Sequence, residues 1–307
     1  MELRQLQYFV KVAKMQHVTH ASEELHVAQS AVSRQIHQLE EELGVSLFAQ
    51  KGRNLQLTQV GKLFLSRVEN VLNDLDKAVQ EVHELLDPES GEVRLGFPHS
   101  VGLNLLPCVV ADFKKKHSKA RFRFKQGKYN SLIHAVANGE VDLAIISPCP
   151  EKHDDVTGEV LLTEELFAIL PASHPFAGRK SIKLKELEHE TFVLFSEGYS
   201  LRPIVWEACL RAGFVPKIGF EGEETDTIKG LVAAGMGVSL LPEMALTGVS
   251  ELQPVKMKIE EPPVTRTIGL IRRSGSKLSP VADTFREFVL NYFNYPEKSL
   301  SLKNNST

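Results

Sequence analysis

HVTHASEELHVAQSAVSRQIHQLEEEL, residues 17–43, divides into two short helical stretches around a tight break. In the second stretch Val32, Ile36, Leu39 and Leu43 recur at helical spacing and make one apolar stripe. Ser30, Ser33, Arg34 and His37 fall on another face, and all four can hydrogen-bond. A helix with one apolar face and one small, polar, singly cationic face suits a DNA major groove, where base edges offer donors and acceptors. The stretch is expected to be a helix-turn-helix whose second helix begins near Gln29.

The flanks fit that reading. Before it, Leu3, Leu6, Phe9, Val10 and Ala13 make a helical stripe, and Val18, Ala21 and Leu25 give the first helix of the motif a core face. Ala21 is small enough to permit a close helix crossing. After it, Val45–Phe48 and Leu55–Leu57 alternate around Gln50-Lys51-Gly52-Arg53-Asn54, which predicts a two-stranded wing with a cationic turn. Arg53 is expected at a phosphate or in the minor groove; the plainer alternative is a solvated hairpin tip.

From Thr58 to Asp87 there is no proline, and the only glycine is Gly61. Phe64, Val68, Val71, Leu75, Ala78, Val82 and Leu85 are spaced alternately four and three apart, a heptad seam closed by Asp87-Pro88. A helix of this length runs about 45 Å. The seam could pack on its own domain, but its strictness and length favour a partner helix, and a two-fold dimer would offer two recognition helices to two half-sites.

Beyond Gly91 strands and helices alternate. Val93–Phe97, Arg121–Phe124 and Val141–Ile146 read as strands, with helices over Gly102–Lys116 and Leu132–Asn138. Further strands follow at Phe167–Leu170, Phe192–Phe195, near Ile218, at Val238–Leu241 and at Arg266–Ile271, with helices ending at Ala212, spanning Thr225–Ala234 and closing at Pro280–Tyr292. This rhythm implies parallel sheets covered by helices, in two α/β lobes: about 91–162 with 266–295, and about 163–265. Ligands of such sheets sit beyond the carboxyl ends of the strands, at helix N-termini. The residues there include Ser100, Tyr129, Ser147, Ser196, Arg202 and Thr225, a hydroxyl-rich set suited to a small polar or anionic ligand. Ser and Thr also cap helices in any α/β protein, so each taken singly has a plainer reading. Pro296–Thr307 is polar and expected to be disordered.

Composition sets bounds. Hydrophobic residues at 42% and charged residues at 24% are ordinary for a globular protein. No apolar run approaches a membrane span, and MELRQLQYF lacks the layout of a signal peptide. Cys108, Cys149 and Cys209 are odd in number and far apart, which argues against a disulfide framework and fits a cytoplasmic location. The net charge of −3 is no basic footprint, and residues 1–58 carry six Lys and Arg against six Glu. Since phosphate contacts supply much of DNA affinity, one module is expected to bind weakly and to need pairing.

At this point the chain resembles the LysR-type transcriptional regulators over nearly its full length. The resemblance is carried by MELRQLQYF, by EELHVAQSAVSRQIHQLEEELGVSLF and by GRNLQLTQVGKLFL, and in the second half by VDLAII, SHPFA and GLVAAGMGVSLLP. It implies a winged helix-turn-helix over 1–58, a dimerising linker helix over 59–88, and over 89–295 an effector-binding region folded like periplasmic solute-binding proteins. It also implies DNA contacts from Gln29, Ser30, Ser33 and Arg34, with Arg53 in the wing. Gln29 has the amide to read adenine, and Arg34 the guanidinium to read guanine or hold a phosphate. The implied partners are double-stranded DNA, a small-molecule effector, a second copy of the chain as dimer or tetramer, and RNA polymerase if the protein activates. Two positions depart from the family pattern: His17 stands where a helix-starting serine is common, and Ala28 where Ser or Thr often caps the recognition helix. Loss of a hydroxyl cap costs on the order of 1 kcal/mol, which predicts a looser helix start or a cap from Ser30.

Other signals lead nowhere chemical. His17 and His20 could share a metal, but no Cys or carboxylate completes a shell in sequence. Gly235-Met236-Gly237 resembles a dinucleotide loop, yet it leads into a strand and lacks the third glycine, so it reads as a helix C-terminus with glycine in the left-handed region. No spacing marks a catalytic pair, so neither enzyme nor cofactor is expected. The rival readings are a DNA-binding protein with an empty cleft and an α/β solute-binding protein that does not bind DNA.

Overall fold

In the computed structural model the described residues are 1–51, 54–86, 91–102, 105–246, 253–260 and 262–294. Arg53 and the segment after Pro296 lie outside them, as does the side chain of Leu85. The chain divides into two compact units, Met1–Gln80 and Glu81–Thr307.

The first unit packs α1 (Leu3–Met15), α2 (Val18–Glu24) and α3 (Gln29–Leu43) with an antiparallel wing of β1 (Phe48–Lys51) and β2 (Asn54–Leu57). Val45 to Leu47, expected as strand, lie outside β1. Leu47 is instead buried in the helical core, and its N–H donates to Glu40 Oε1 at 2.6 Å. The core has two parts, one around Phe9, Leu39, Leu47 and Val68, the other around Val12, Ala21, Val32 and Ile36. Ala21 is fully buried in the second part, as the crossing requires.

α4 (Gln59–Leu86) starts from a built cap. Thr58 Oγ1 accepts from Gly61 N–H at 2.9 Å and donates to Ser46 O at 2.9 Å. A Cβ at Gly61 would lie 2.1 Å from Leu47 O, so the helix can sit this close to the wing only with glycine there. The apolar seam of α4 serves two purposes. Phe64 packs 5.3 Å from the Phe9 ring and Val68 is buried, so these two complete the core of their own unit. Val71, Leu75 and Val82 stay exposed, at 56%, 43% and 57%, with exposed Val79 beside them and Ala78 also exposed.

The second unit has two lobes. In lobe I, β3 (Glu92–Phe97) pairs in parallel with β4 (Arg121–Gln126) and β5 (Leu143–Ile146). Around this sheet run α5 (His99–Gly102), α6 (Leu105–Lys116), α7 (Tyr129–Ala137) and α10 (Pro280–Asn294). Their core includes Leu95, Phe113, Leu132, Ile146 and Phe285. In lobe II, β8 (Thr191–Phe195) and β9 (Lys217–Gly222) are parallel, with α8 (Leu201–Arg211) and α9 (Thr225–Ala233) packed over Phe192, Leu194, Val205 and Ile228.

The expected parallel pairing holds for β3 with β4 and β5 and for β8 with β9, but not for the strands that join the lobes. β6 (Val156–Leu170) and β12 (Thr265–Arg273) run antiparallel to each other, and β12 is antiparallel to β5 as well. The end of β6 also pairs antiparallel with β10 (Ser239–Pro242) and β11 (Val255–Ile259), while β11 pairs in parallel with the short β7 (Ser181–Ile182). The cause is connectivity. β6 leaves lobe I as one long strand, and after the elements of lobe II the chain comes back along it in the opposite direction as β12. Gly235, after α9, takes φ +83° and closes the helix before buried β10, as expected of that glycine pair.

Candidate functional site

Two surfaces concentrate polar groups, one in each unit. In the first, the apolar stripe of α3 is spent on the core, since Val32 and Leu39 are fully buried and Ile36 nearly so. That turns Gln29, Ser30, Ser33, Arg34 and His37 outward, all exposed along one side. Arg34 has no ion-pair partner among the described residues. The acids that offset the basic footprint are occupied elsewhere: Glu40 accepts from Leu47 and Phe48 N–H, Glu41 faces His37 at 3.4 Å, Glu42 holds the N-terminal ammonium, Glu24 pairs with Lys11, and Glu23 faces His20 at 3.2 Å. Arg34 is thus the cation that the α3 face presents without a competing carboxylate.

The two departures at helix starts resolve differently. His17 replaces the hydroxyl cap with an imidazole whose Nδ1 accepts from His20 N–H at 3.4 Å, and the two rings lie 4.4 Å apart. Ala28 is the N-cap of α3 and no side chain caps it, Ser30 included. The first amides of α3 are therefore left for solvent or for an anion approaching the helix end. Among the described residues no group of three or more His, Cys, Asp or Glu could hold a metal ion.

The second surface is a cleft of about 410 Å³, open solvent included, in the two-lobed unit. Its walls are the turns that follow parallel strands and open helices. Pro98–Ser100 and Gly127–Tyr129 come from lobe I; Phe195, Tyr199–Leu201, Glu223 and Thr225 come from lobe II. Of the six residues singled out in sequence, Ser100, Tyr129 and Thr225 line it. The other three do not. Ser196 Oγ donates to Gly222 O at 3.3 Å and stitches β8 to β9, while Arg202 Nη1 donates to Phe195 O at 2.9 Å and to Glu221 at 2.5 Å. Ser147 is buried just past β5, its Oγ without a partner among the described residues.

Beneath the cleft lies a network that the sequence pattern did not reveal. Arg266 on β12 and Glu164 on β6 form a buried ion pair, Nε to Oε2 at 2.9 Å, where the two strands run side by side. Glu164 Oε1 also accepts from Met244 N–H at 2.8 Å, and Arg266 Nη1 donates to Ser100 Oγ at 3.1 Å. Because guanidinium only donates, Ser100 is held as an acceptor toward Arg266, and that bond leaves its own hydrogen free to donate. The only hint in sequence was a charge, Arg266, at the head of an apolar strand. Nor does the sequence mark Lys128 or Tyr199 as individuals. Burial, and then Cys149, push the Tyr129 hydroxyl above its ordinary value.

Comparison with known proteins finds one family over both parts of the chain. Residues 3–62 match the family model for the bacterial regulatory helix-turn-helix protein of the lysR family, and residues 86–294 match the LysR substrate binding domain. The chain is 46% identical, over 97% of its length and 99% of the relative's, to the transcriptional dual regulator GltC of Bacillus subtilis. Among solved structures it is similar to a full-length OxyR variant from Pseudomonas aeruginosa, with TM-score 0.71 and 26% identity over 96% of this chain and 95% of that one. It is also similar to the effector binding domain of QuiR in complex with shikimate, with TM-score 0.61 and 30% identity over 67% of this chain and 98% of that one.

Proposed function

The chain belongs to the LysR family of transcriptional regulators, and we propose that it acts on its promoters as a ligand-responsive dimer or dimer of dimers. The observation that carries this reading is the pairing of an outward α3 face, where Arg34 has no ion-pair partner among the described residues, with a cleft between two lobes into which Ser100, Tyr129 and Thr225 bring hydroxyls. In this reading Gln29, Ser30, Ser33 and Arg34 meet base edges and phosphates, with Arg53 in the wing reaching the backbone. The exposed run Val71, Leu75 and Val82 meets the same run of a second copy, since water-facing apolar residues at heptad spacing gain most from a partner helix. Leu85 extends the seam. Phe64 and Val68 support it from within the winged unit.

The cleft takes a small anionic or polar metabolite through Ser100, Tyr129 and Thr225. A ligand that prefers one pose of the lobes shifts the population toward it, and that shift alters how dimers sit on DNA. The likeness to GltC, a regulator of the glutamate synthase operon, directs the target genes toward amino-acid and nitrogen metabolism. If the protein activates, RNA polymerase is a further partner.

A metabolite panel read by thermal shift, with footprinting of the upstream DNA, tests this. A ligand at 100 times its dissociation constant adds about 2.7 kcal/mol of stability, and the same ligand should change the footprint. A panel without any stabilising compound, beside an unchanged footprint, favours a DNA-binding protein with an empty cleft.

A further inference from the structure

Three side chains from three turns meet over the cleft. Lys128, between β4 and α7, belongs to lobe I; Tyr199, between β8 and α8, and Glu223, between β9 and α9, belong to lobe II. Lys128 Nζ lies 3.5 Å from Glu223 Oε1 and 4.4 Å from the centroid of the Tyr199 ring. Tyr199 Oη donates to Glu223 Oε2 at 3.1 Å. Gly198, in the turn before Tyr199, takes φ +85°, a left-handed conformation that favours glycine. The ammonium is thus held from across the cleft by a carboxylate and by an aromatic face.

Lys128 is the only Lys or Arg among the described residues that line the cleft. We propose that Lys128 is the anion-recognising residue of this cleft and that Glu223 with Tyr199 forms a clasp holding it across the mouth until an anionic ligand takes the place of Glu223. The anion half rests on the reading of the cleft as a ligand site; the clasp half stands on geometry alone. Lys128 and Glu223 are 45% and 62% exposed, so their attraction is screened and cheap to exchange. An anion enclosed by the walls, and held by the hydrogen that Ser100 leaves free, would interact with the ammonium in a less water-like setting and win the exchange. Tyr199 keeps Glu223 in place as the lysine turns away, so the clasp can re-form when the ligand leaves.

Hydrogen exchange on the full-length protein without ligand tests the clasp. K128M should speed exchange across the cleft, in the turn at 198–200, and E223Q should speed it at 127–129, each by about two- to five-fold. The double variant should do no more than either single one, and K128R should restore protection. Effects confined to each variant's own turn, or additive in the double variant, overturn the clasp. For the anion half the probe is inorganic sulfate, with chloride matched for ionic strength and thermal unfolding as the readout. Sulfate should stabilise wild type, stabilise E223Q more, and leave K128M unchanged. Equal shifts in all three, or none in any, overturn Lys128 as the anion residue while the cross-cleft coupling is judged separately.

Discussion

Arg34 shows how far a single residue can be read. Its spacing from Ser30 and Ser33 was visible in the sequence; that no carboxylate competes with it depended on where five glutamates went, which only the fold decides. A bidentate base contact is worth about 1–3 kcal/mol per half-site, so Arg34→Ala should lose specific DNA affinity by at least tenfold while its melting curve stays unchanged. The buried pair of Arg94 and Asp142 works the other way, as a purely structural contact. Asp142 accepts from the Arg94 backbone N–H at 2.9 Å and from Nη2 at 2.7 Å, tying β3 to the chain entering β5. Asp142→Ala leaves a guanidinium buried without its charge partner and should cost about 3–5 kcal/mol in urea unfolding. Burial pushes the Cys209 thiol up to about 12. A raised value favours the neutral thiol in the folded state, so this stability is present below the unfolded thiol's value, near 8.5, and is lost as pH rises from there toward 12. At pH 8 Cys209 should resist thiol reagents until the protein is unfolded, and Cys209→Ala should flatten the loss of stability at alkaline pH.

Among elements, α4 best separates what periodicity tells from what packing adds. The heptad spacing was plain in the sequence, but no spacing rule divides Phe64 and Val68, which fill their own unit, from Val71, Leu75 and Val82, which face water. That division depends on where α1 and the wing pass. It gives opposite outcomes for two substitutions. Leu75→Asp should lower the oligomeric state in sedimentation while leaving the winged unit folded. Val68→Asp should unfold that unit, because it buries an unpaired charge. Helix starts are legible one residue at a time: Thr58, unmarked in the sequence, caps α4, whereas α3 has no side-chain cap, so of a looser start and a cap from Ser30 the second is absent. Thr58→Ala should cost about 1 kcal/mol.

For the whole molecule, the alternation of strands and helices was enough to separate the helical unit from the α/β unit and to suggest two lobes. It could not show β6 running fifteen residues out of one lobe and into the other, because Val156–Glu165 alternates too weakly to mark a strand. The antiparallel return along β12 was missed with it, and so was the buried Arg266–Glu164 pair under Ser100. Half of the candidate cleft was found because hydroxyls at strand ends are a local signal. The other half, the Lys128–Tyr199–Glu223 cluster, joins the turn at Lys128 to turns about seventy and ninety-five residues further on, a distance no local pattern spans. The central claim is that the α3 face reads DNA. It is tested most directly by titrating the full-length protein and its Arg34→Ala variant onto the DNA upstream of its own gene, beside a scrambled duplex. Wild type should form a specific complex, and the variant, equally folded and equally oligomeric, should bind both duplexes alike. Equal specific affinity in the two proteins, or no specific complex from wild type, would contradict it.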